Sequence, residues 1–137
     1  MILVNTWKLV VLERYAKFDG RAGRAEYWWF VLANVVAWVA LVVLLFIGSA
    51  IADALGILLI IVLIGYWLAM IVPSIAVGVR RLHDTNKTGW LMLLVLLGVI
   101  PIIGFVGSIV LLVFFATQGN LTANDYGEPD PGLPVAA

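Results

Sequence analysis

The sequence predicts an all-α integral membrane protein, with three transmembrane helices preceded by an N-terminal interfacial amphipathic helix. Three observations predict it. Hydrophobic residues fill 64% of the 137 positions, against roughly 45–50% in a soluble domain. Charged residues fill 12%, about half the usual share, too few to cover a water-facing surface; lipid removes that requirement. The charges are also segregated, leaving three long apolar stretches between them.

The first 26 residues form a cytoplasmic interfacial segment. Within residues 4–17, a turn of about 100° per residue gathers Val4, Trp7, Val11, Tyr15 and Phe18 on one side. Lys8 and Arg14 border that face, where long basic side chains snorkel. A basic amphipathic helix carrying Trp fits the plane of the membrane interface. Packing on the protein's own loops is the alternative.

Residues 27–116 form the membrane domain. Tyr27 to Ala50 carries no charge; as a helix it is roughly 36 Å long, enough to cross a ~30 Å core with tilt. Tyr27, Trp28 and Trp29 place aromatic rings at its start, the headgroup level. A break is expected over residues 51–56. The second span covers 57–79 with Pro73 inside, where Ser74 is a candidate partner for the backbone group the proline frees. A polar loop, 80–89, holds the only histidine. The third apolar stretch, 90–116, is interrupted by Gly98, Pro101, Gly104 and Gly107. A single kinked span is the favoured reading; a re-entrant hairpin turning at Pro101 is the alternative. Residues 117–137, rich in Gly, Pro, Asn and Asp, read as a flexible tail. Ala50-Ile51-Ala52 resembles a signal-peptidase site, but the preceding apolar run is far longer than a secretory h-region of ~7–15 residues.

Topology follows from the basic residues. Five lie in residues 1–26, three more are Arg80, Arg81 and Lys87, and none follows Lys87. The positive-inside rule places both groups in the cytoplasm. The 51–56 turn falls outside, and with three spans so does the tail.

Several motifs then carry a resemblance. Phe18-Asp19-Gly20-Arg21 through Arg24, Glu26, Tyr27 and Trp28, the central Arg80-Arg81-Leu82-His83-Asp84-Thr85 with Lys87, Gly89 and Trp90, the Pro101–Gly104 stretch and the tail Asn124 to Pro131 occur in order. Together they resemble the YhaH-like bacterial inner-membrane proteins, catalogued as domain of unknown function 805. Thr88 stands where that family usually has Ser, and Glu128 is an extra residue. The resemblance spans residues 7–131. It implies a location in the bacterial inner membrane and a helical membrane domain, and it implies no activity.

The candidate site is polar. Arg21, Arg24 and Glu26 precede the first span; Arg80, Arg81, His83, Asp84 and Lys87 separate the second and third. The topology brings both groups to one cytoplasmic interface as a basic cap. The plain reading is structural pairing and attraction to an anionic leaflet, at about 1 kcal/mol per basic residue. The sharper one is a specific anion site, because guanidinium groups grip phosphate or carboxylate bidentately. Its ligand would be an anionic lipid headgroup or an acidic segment of a membrane partner protein. An enzyme is not expected: His83 and Asp84 are adjacent and face apart on a helix, and no nucleophile elbow or phosphate loop accompanies them. No cofactor, metal or nucleic-acid partner is implied; the net charge is zero and there is no cysteine. The expectation is a non-enzymatic lipid- or partner-binding component of the membrane. A subunit of an oligomeric transporter or channel is the runner-up, disfavoured because the apolar stretches hold no ionisable group. Ala33/Ala37, Gly65/Ala69 and Gly104/Ser108 fit small-xxx-small packing, within one chain or in a homo-oligomer.

Overall fold

A computed structural model describes residues 1–132, and every described element is helical or irregular. Helix α1, Ile2–Lys8, runs into a wider π-helical turn over Leu9–Glu13, closed by the Arg14 N–H donating to Leu9 O at 3.0 Å. Helix α2 is Arg24–Ile51 and α3 is Asp53–Asp84. A 3₁₀ arm, Gly89–Val99, and helix α4, Pro101–Ala116, follow.

The two long helices are 28 and 32 residues. In the most apolar window of each, only 6% is buried inside the molecule. Such windows are not the core of a soluble protein; their side chains are left for lipid. Between them the break is shorter than the sequence implies. Ala52 alone leaves the helical region, at φ −159° and ψ 140°, and Asp53 opens α3, where a carboxylate favours the helix N-terminus. The hairpin is tight enough that a Cβ on Gly56 would lie 2.6 Å from the Ser49 hydroxyl.

Pro73 does sit inside α3. It removes the N–H that would bond Ala69 O, and the Tyr15 hydroxyl donates to that oxygen instead at 2.7 Å. The partner therefore comes from the N-terminal segment, not from Ser74. Deeper along the pair, Tyr66 donates its hydroxyl to Asn34 Oδ1 at 2.7 Å, linking α3 to α2.

The N-terminal helix is corrected in extent and placement. It ends at Glu13 and lies along α2, with Val10 packed against Phe30 and Val77 and Arg14 beside Glu26. The face also differs. Thr6, Leu9 and Val10 are buried, Trp7 and Val11 are half-buried, and Val4, Tyr15 and Phe18 are exposed. The π turn inserts one residue into the helical period, which rotates the downstream side chains off the expected stripe.

Residues 89–116 are not one kinked helix. The chain leaves the helical region at Ile100 (φ −98°, ψ 112°) and reverses. Gly104 has room only for hydrogen against the Gly98 backbone, and a Cβ on Gly107 would lie 3.4 Å from Leu94 O. At the open end Leu91, Met92 and Leu94 pack around Leu111 and Phe115. These contacts define two antiparallel arms. At about 2.0 Å per residue for 3₁₀ and 1.5 Å for α, each arm is roughly 22–24 Å long, short of a ~30 Å core. Gly65, by contrast, has nothing within 4 Å of its would-be Cβ among the described residues.

Two further boundaries change. Arg80 to Asp84 are the last residues of α3 rather than a loop, and the turn is only Thr85–Thr88, with Asn86 left-handed at φ 56°. The tail is not free over residues 117–132: it folds back across the end of the bundle, as described next. The tail expectation for 133–137 lies outside the described residues.

Candidate functional site

Helix ends and the returning tail build a polar cap at one end of the molecule. Its centre is two carboxylates, each held by two arginines. Glu26, in the first turn of α2, is 1% exposed. Its Oε1 accepts from Arg80 Nη1 at 2.8 Å and its Oε2 from Arg14 Nη1 at 2.8 Å. Asp84, the last residue of α3, accepts from Arg21 Nε on Oδ1 at 2.9 Å and from Arg81 Nη1 on Oδ2 at 2.5 Å. The Arg21 and Arg81 side chains are fully buried.

Four arginines against two carboxylates leave an excess of two positive charges. Backbone carbonyls absorb it. Arg81 Nε donates to Phe115 O at 2.9 Å, its Nη2 to Thr117 O and its Nη1 to Ala22 O at 3.3 Å. It thus caps the C-terminal carbonyls of α4, the negative end of that helix dipole. Arg21 Nη1 donates to Thr122 O at 2.9 Å and Gly127 O at 3.2 Å, and its Nη2 to Asn120 O and Asp84 O. Arg80 Nε donates to Lys17 O at 3.0 Å. Among the described buried atoms, Arg80 Nη2 and Trp7 Nε1 have no partner.

The tail completes the caps. Asn120 N–H donates to Asp84 O at 2.8 Å and Asn124 Nδ2 to His83 O at 2.9 Å, which satisfies terminal carbonyls of α3. Asp130 Oδ2 accepts from the Gly23 N–H at 3.2 Å at the start of α2, a favourable place for an anion. Asn86 and Asp125 bond reciprocally, at 3.3 and 3.1 Å. Gly119 passes so close to Asp84 that a Cβ there would collide with its carboxylate.

The predicted residues therefore divide. Arg21, Glu26, Arg80, Arg81 and Asp84 come together as one buried network. Arg80 and Arg81, expected as a bidentate anion site, are buried, and their guanidinium groups are engaged by Glu26, Asp84 and backbone carbonyls. His83 is beside the network but apart from it chemically: its Nδ1–H donates to Gly20 O at 3.0 Å, and its ring stacks on Tyr126 at 3.8 Å and 4°. His83 and Asp84 make no hydrogen bond to each other and face different partners. Lys87 lies over the Phe114 ring, 4.8 Å from its centroid. Arg24 is exposed and has no ion pair among the described residues. No group of three or more metal-ligating side chains is found among the described residues.

Arg14, Tyr126, Asn120, Asn124 and Asp130 were not singled out as site residues from the sequence. The tail motif that contains Asn124, Tyr126 and Asp130 was the available signal. Arg14 offered none, because its partner Glu26 lies twelve positions away across an irregular turn.

Beside the cap lies a cavity of about 570 Å³ between α3 and the 3₁₀ arm. Ile75, Val79, Met92 and Leu93 line its apolar part, and His83, Thr88 and Tyr126 its polar end.

Comparison with known proteins gives a consistent result. Residues 15–128 match the family model described as "Protein of unknown function (DUF805)". The chain is 40% identical over 126 residues to "Inner membrane protein YhaI" of Escherichia coli (strain K12), covering 91% of this chain and 94% of that one. It is 39% identical over 128 residues to "Inner membrane protein YhaH" of the same organism, covering 93% and 97%. No solved structure matches.

Proposed function

The chain belongs to the DUF805 family of inner-membrane proteins, and from that premise we propose that it is a non-enzymatic membrane component whose cytoplasmic cap binds anionic lipid. In this reading α2 and α3 cross the bilayer, and residues 89–116 dip in and return. The observation that carries it is the placement of charge. Seven of the eight Lys and Arg residues lie in the cap or in the segments that border it, Lys8 lies on the helix that leads into it, and Asp53 is the one charged side chain at the opposite end of the helix pair. The positive-inside rule then puts the cap, the N-terminal helix and the returning tail in the cytoplasm.

The arginines of the network are consumed internally, so lipid meets a rim of Lys8, Lys17, Arg24 and Lys87. Each is worth about 1 kcal/mol at an anionic leaflet. Two arginines engage Asp84 and the Gly20 carbonyl holds His83, which supports a non-enzymatic role.

Two measurements test the reading. Because the chain has no cysteine, single substitutions report sidedness. Asp19→Cys and Gln118→Cys should react with an impermeant maleimide only from the cytoplasmic face, and Ala54→Cys only from the opposite face. Labelling of Gln118→Cys from outside would restore a third span. Native mass spectrometry of the protein released from its membrane should show retained phosphatidylglycerol; bare protein would refute lipid binding. Solute flux in proteoliposomes would instead favour a transporter subunit.

A further inference from the structure

We infer that the cavity beside the cap is a binding site for one anionic glycerophospholipid, with an acyl chain against α3 and the 3₁₀ arm and the headgroup at the His83 end. The inference rests on the lipid-binding reading and assigns it a place.

The cavity has two chemically distinct ends. Its volume, about 570 Å³, lies within the ~300–1,000 Å³ of ordinary ligand sites. Ile75, Val79, Met92 and Leu93 form the hydrocarbon part, on elements whose outer faces are exposed to lipid. Trp90, 78% exposed, stands at the rim where the 3₁₀ arm begins. Indole rings favour that headgroup level.

Two groups that line the polar end, His83 and Thr88, have hydrogen-bonding capacity only partly used, and Lys17, next to the lining residue Phe18, flanks them. His83 Nδ1 must carry its proton, because it faces the Gly20 carbonyl. Stacking on Tyr126 fixes the ring plane. The ring atom left without a partner among the described residues is Nε2, an acceptor in the neutral ring. The Thr88 hydroxyl oxygen accepts from the Trp90 N–H at 3.4 Å, so its own O–H remains to be donated. Lys17 lays its stem on Gly20, its Cε 4.0 Å from where a Cβ would stand, next to the carbonyl that orients His83. Lys17 is exposed and has no ion pair among the described residues.

This set complements an anionic headgroup bearing hydroxyls. Lys17 and the Thr88 O–H suit the phosphate, and Nε2 suits a glycerol hydroxyl. A bare hydrocarbon chain would leave all three groups unused. A partner helix would have to bring an anion to the same place. Charge therefore selects the lipid, and the bilayer supplies it at the depth where the cavity opens.

The test uses the full chain in phospholipid nanodiscs containing phosphatidylglycerol with a diazirine on its acyl chain, followed by peptide mapping. Labelling should concentrate on Ile75–Val79 and Met92–Leu93, in excess over outward positions such as Val43 and Leu44. Ile75→Trp, which intrudes into the cavity from α3, should reduce that excess, and Leu93→Trp should do so from the opposite wall. Lys17→Gln should lower it roughly fivefold for phosphatidylglycerol, with little change for a zwitterionic probe. Uniform labelling of all lipid-facing positions would overturn the site, as would an excess that neither tryptophan reduces. If native mass spectrometry still finds retained phosphatidylglycerol in such a case, the site fails while lipid binding stands. Retention of no lipid sinks both. Cross-linking of the cavity to a second polypeptide in place of lipid also overturns it.

Discussion

Asp84→Asn is the sharpest perturbation of the cap. It keeps the side chain's shape and removes one charge. Arg21 and Arg81, both with fully buried side chains, are then left facing each other with no anion between them. Stranding a buried charge by removing its partner costs about 3–5 kcal/mol. What opens is local: the tail, whose Asn120 N–H is bonded to Asp84 O, and the segment around Ala22, whose carbonyl accepts from Arg81. At about 1.4 kcal/mol per decade, the opening constant should rise roughly 10²–10⁴-fold. Amide hydrogen exchange in nanodiscs reads that constant directly. Peptides covering residues 117–131 should exchange faster by that factor, while peptides within 57–70 stay unchanged. Adding Arg21→Gln removes one of the two stranded cations and should recover part of the loss. Acceleration of less than about tenfold would refute the claim that the carboxylate holds the cap together, since it would fall well below the cost of an unpaired buried charge.

Gly119→Ala places a Cβ against the Asp84 carboxylate and should destabilise the tail by about 1–3 kcal/mol, the usual cost of overpacking; the same exchange peptides measure it. Tyr15→Phe orphans the Ala69 carbonyl beneath Pro73 and should cost about 1–3 kcal/mol in a detergent unfolding titration. Adding Pro73→Ala, which restores the intrahelical donor, should rescue it, and failure to rescue would remove the proline from the explanation. A double-mutant cycle of Asn34→Leu and Tyr66→Phe should give a coupling near 0.6 kcal/mol and no more than about 1.7; zero coupling would mean the bond of 2.7 Å contributes nothing in lipid. Raising salt from 0.1 to 1 M shortens the Debye length from about 10 to 3 Å, so anionic-lipid adducts should decline while exchange from the cap does not change. Parallel loss of both would place the network in contact with solvent.

The membrane character, the two long apolar helices and the gathering of two charged motifs at one end of the molecule were legible because they rest on composition and charge segregation. The boundaries were less so. Arg80 to Asp84 read as a loop because charges normally end a span, yet α3 continues beyond the apolar stretch to deliver those side chains into the cap. The hairpin was legible as an alternative only. Gly98, Pro101 and Gly104 allow either a kink or a reversal, and contact of Gly104 with the Gly98 backbone is a tertiary fact. The tail misled most, since Gly, Pro and Asn are turn formers whether or not a turn is anchored. Its anchors, Arg21 and the carbonyls of Thr122 and Gly127, are about a hundred positions apart in sequence. The π turn after Lys8 shifted an otherwise reasonable amphipathic face, and no residue type announces such a turn.

The burial of the arginines separates two roles that the sequence runs together. Positive charge orients a membrane protein as its segments insert, when the flanks of each span are still exposed to the anionic leaflet. Arg14, Arg21, Arg80 and Arg81 contribute half of the eight basic residues to that signal. Once folded, the same four lie in a network that Glu26 and Asp84 hold, Arg14 alone being partly exposed. A buried ion pair contributes little net stability compared with apolar packing but is costly to break. In the folded molecule it serves to fix one arrangement of helix ends and tail. Neutralising Arg80 or Arg81 therefore perturbs orientation and architecture together, and reports nothing clean about lipid. The side chains still available to lipid phosphate are the peripheral ones, and Lys17 is the one that stands beside a cavity with an apolar interior.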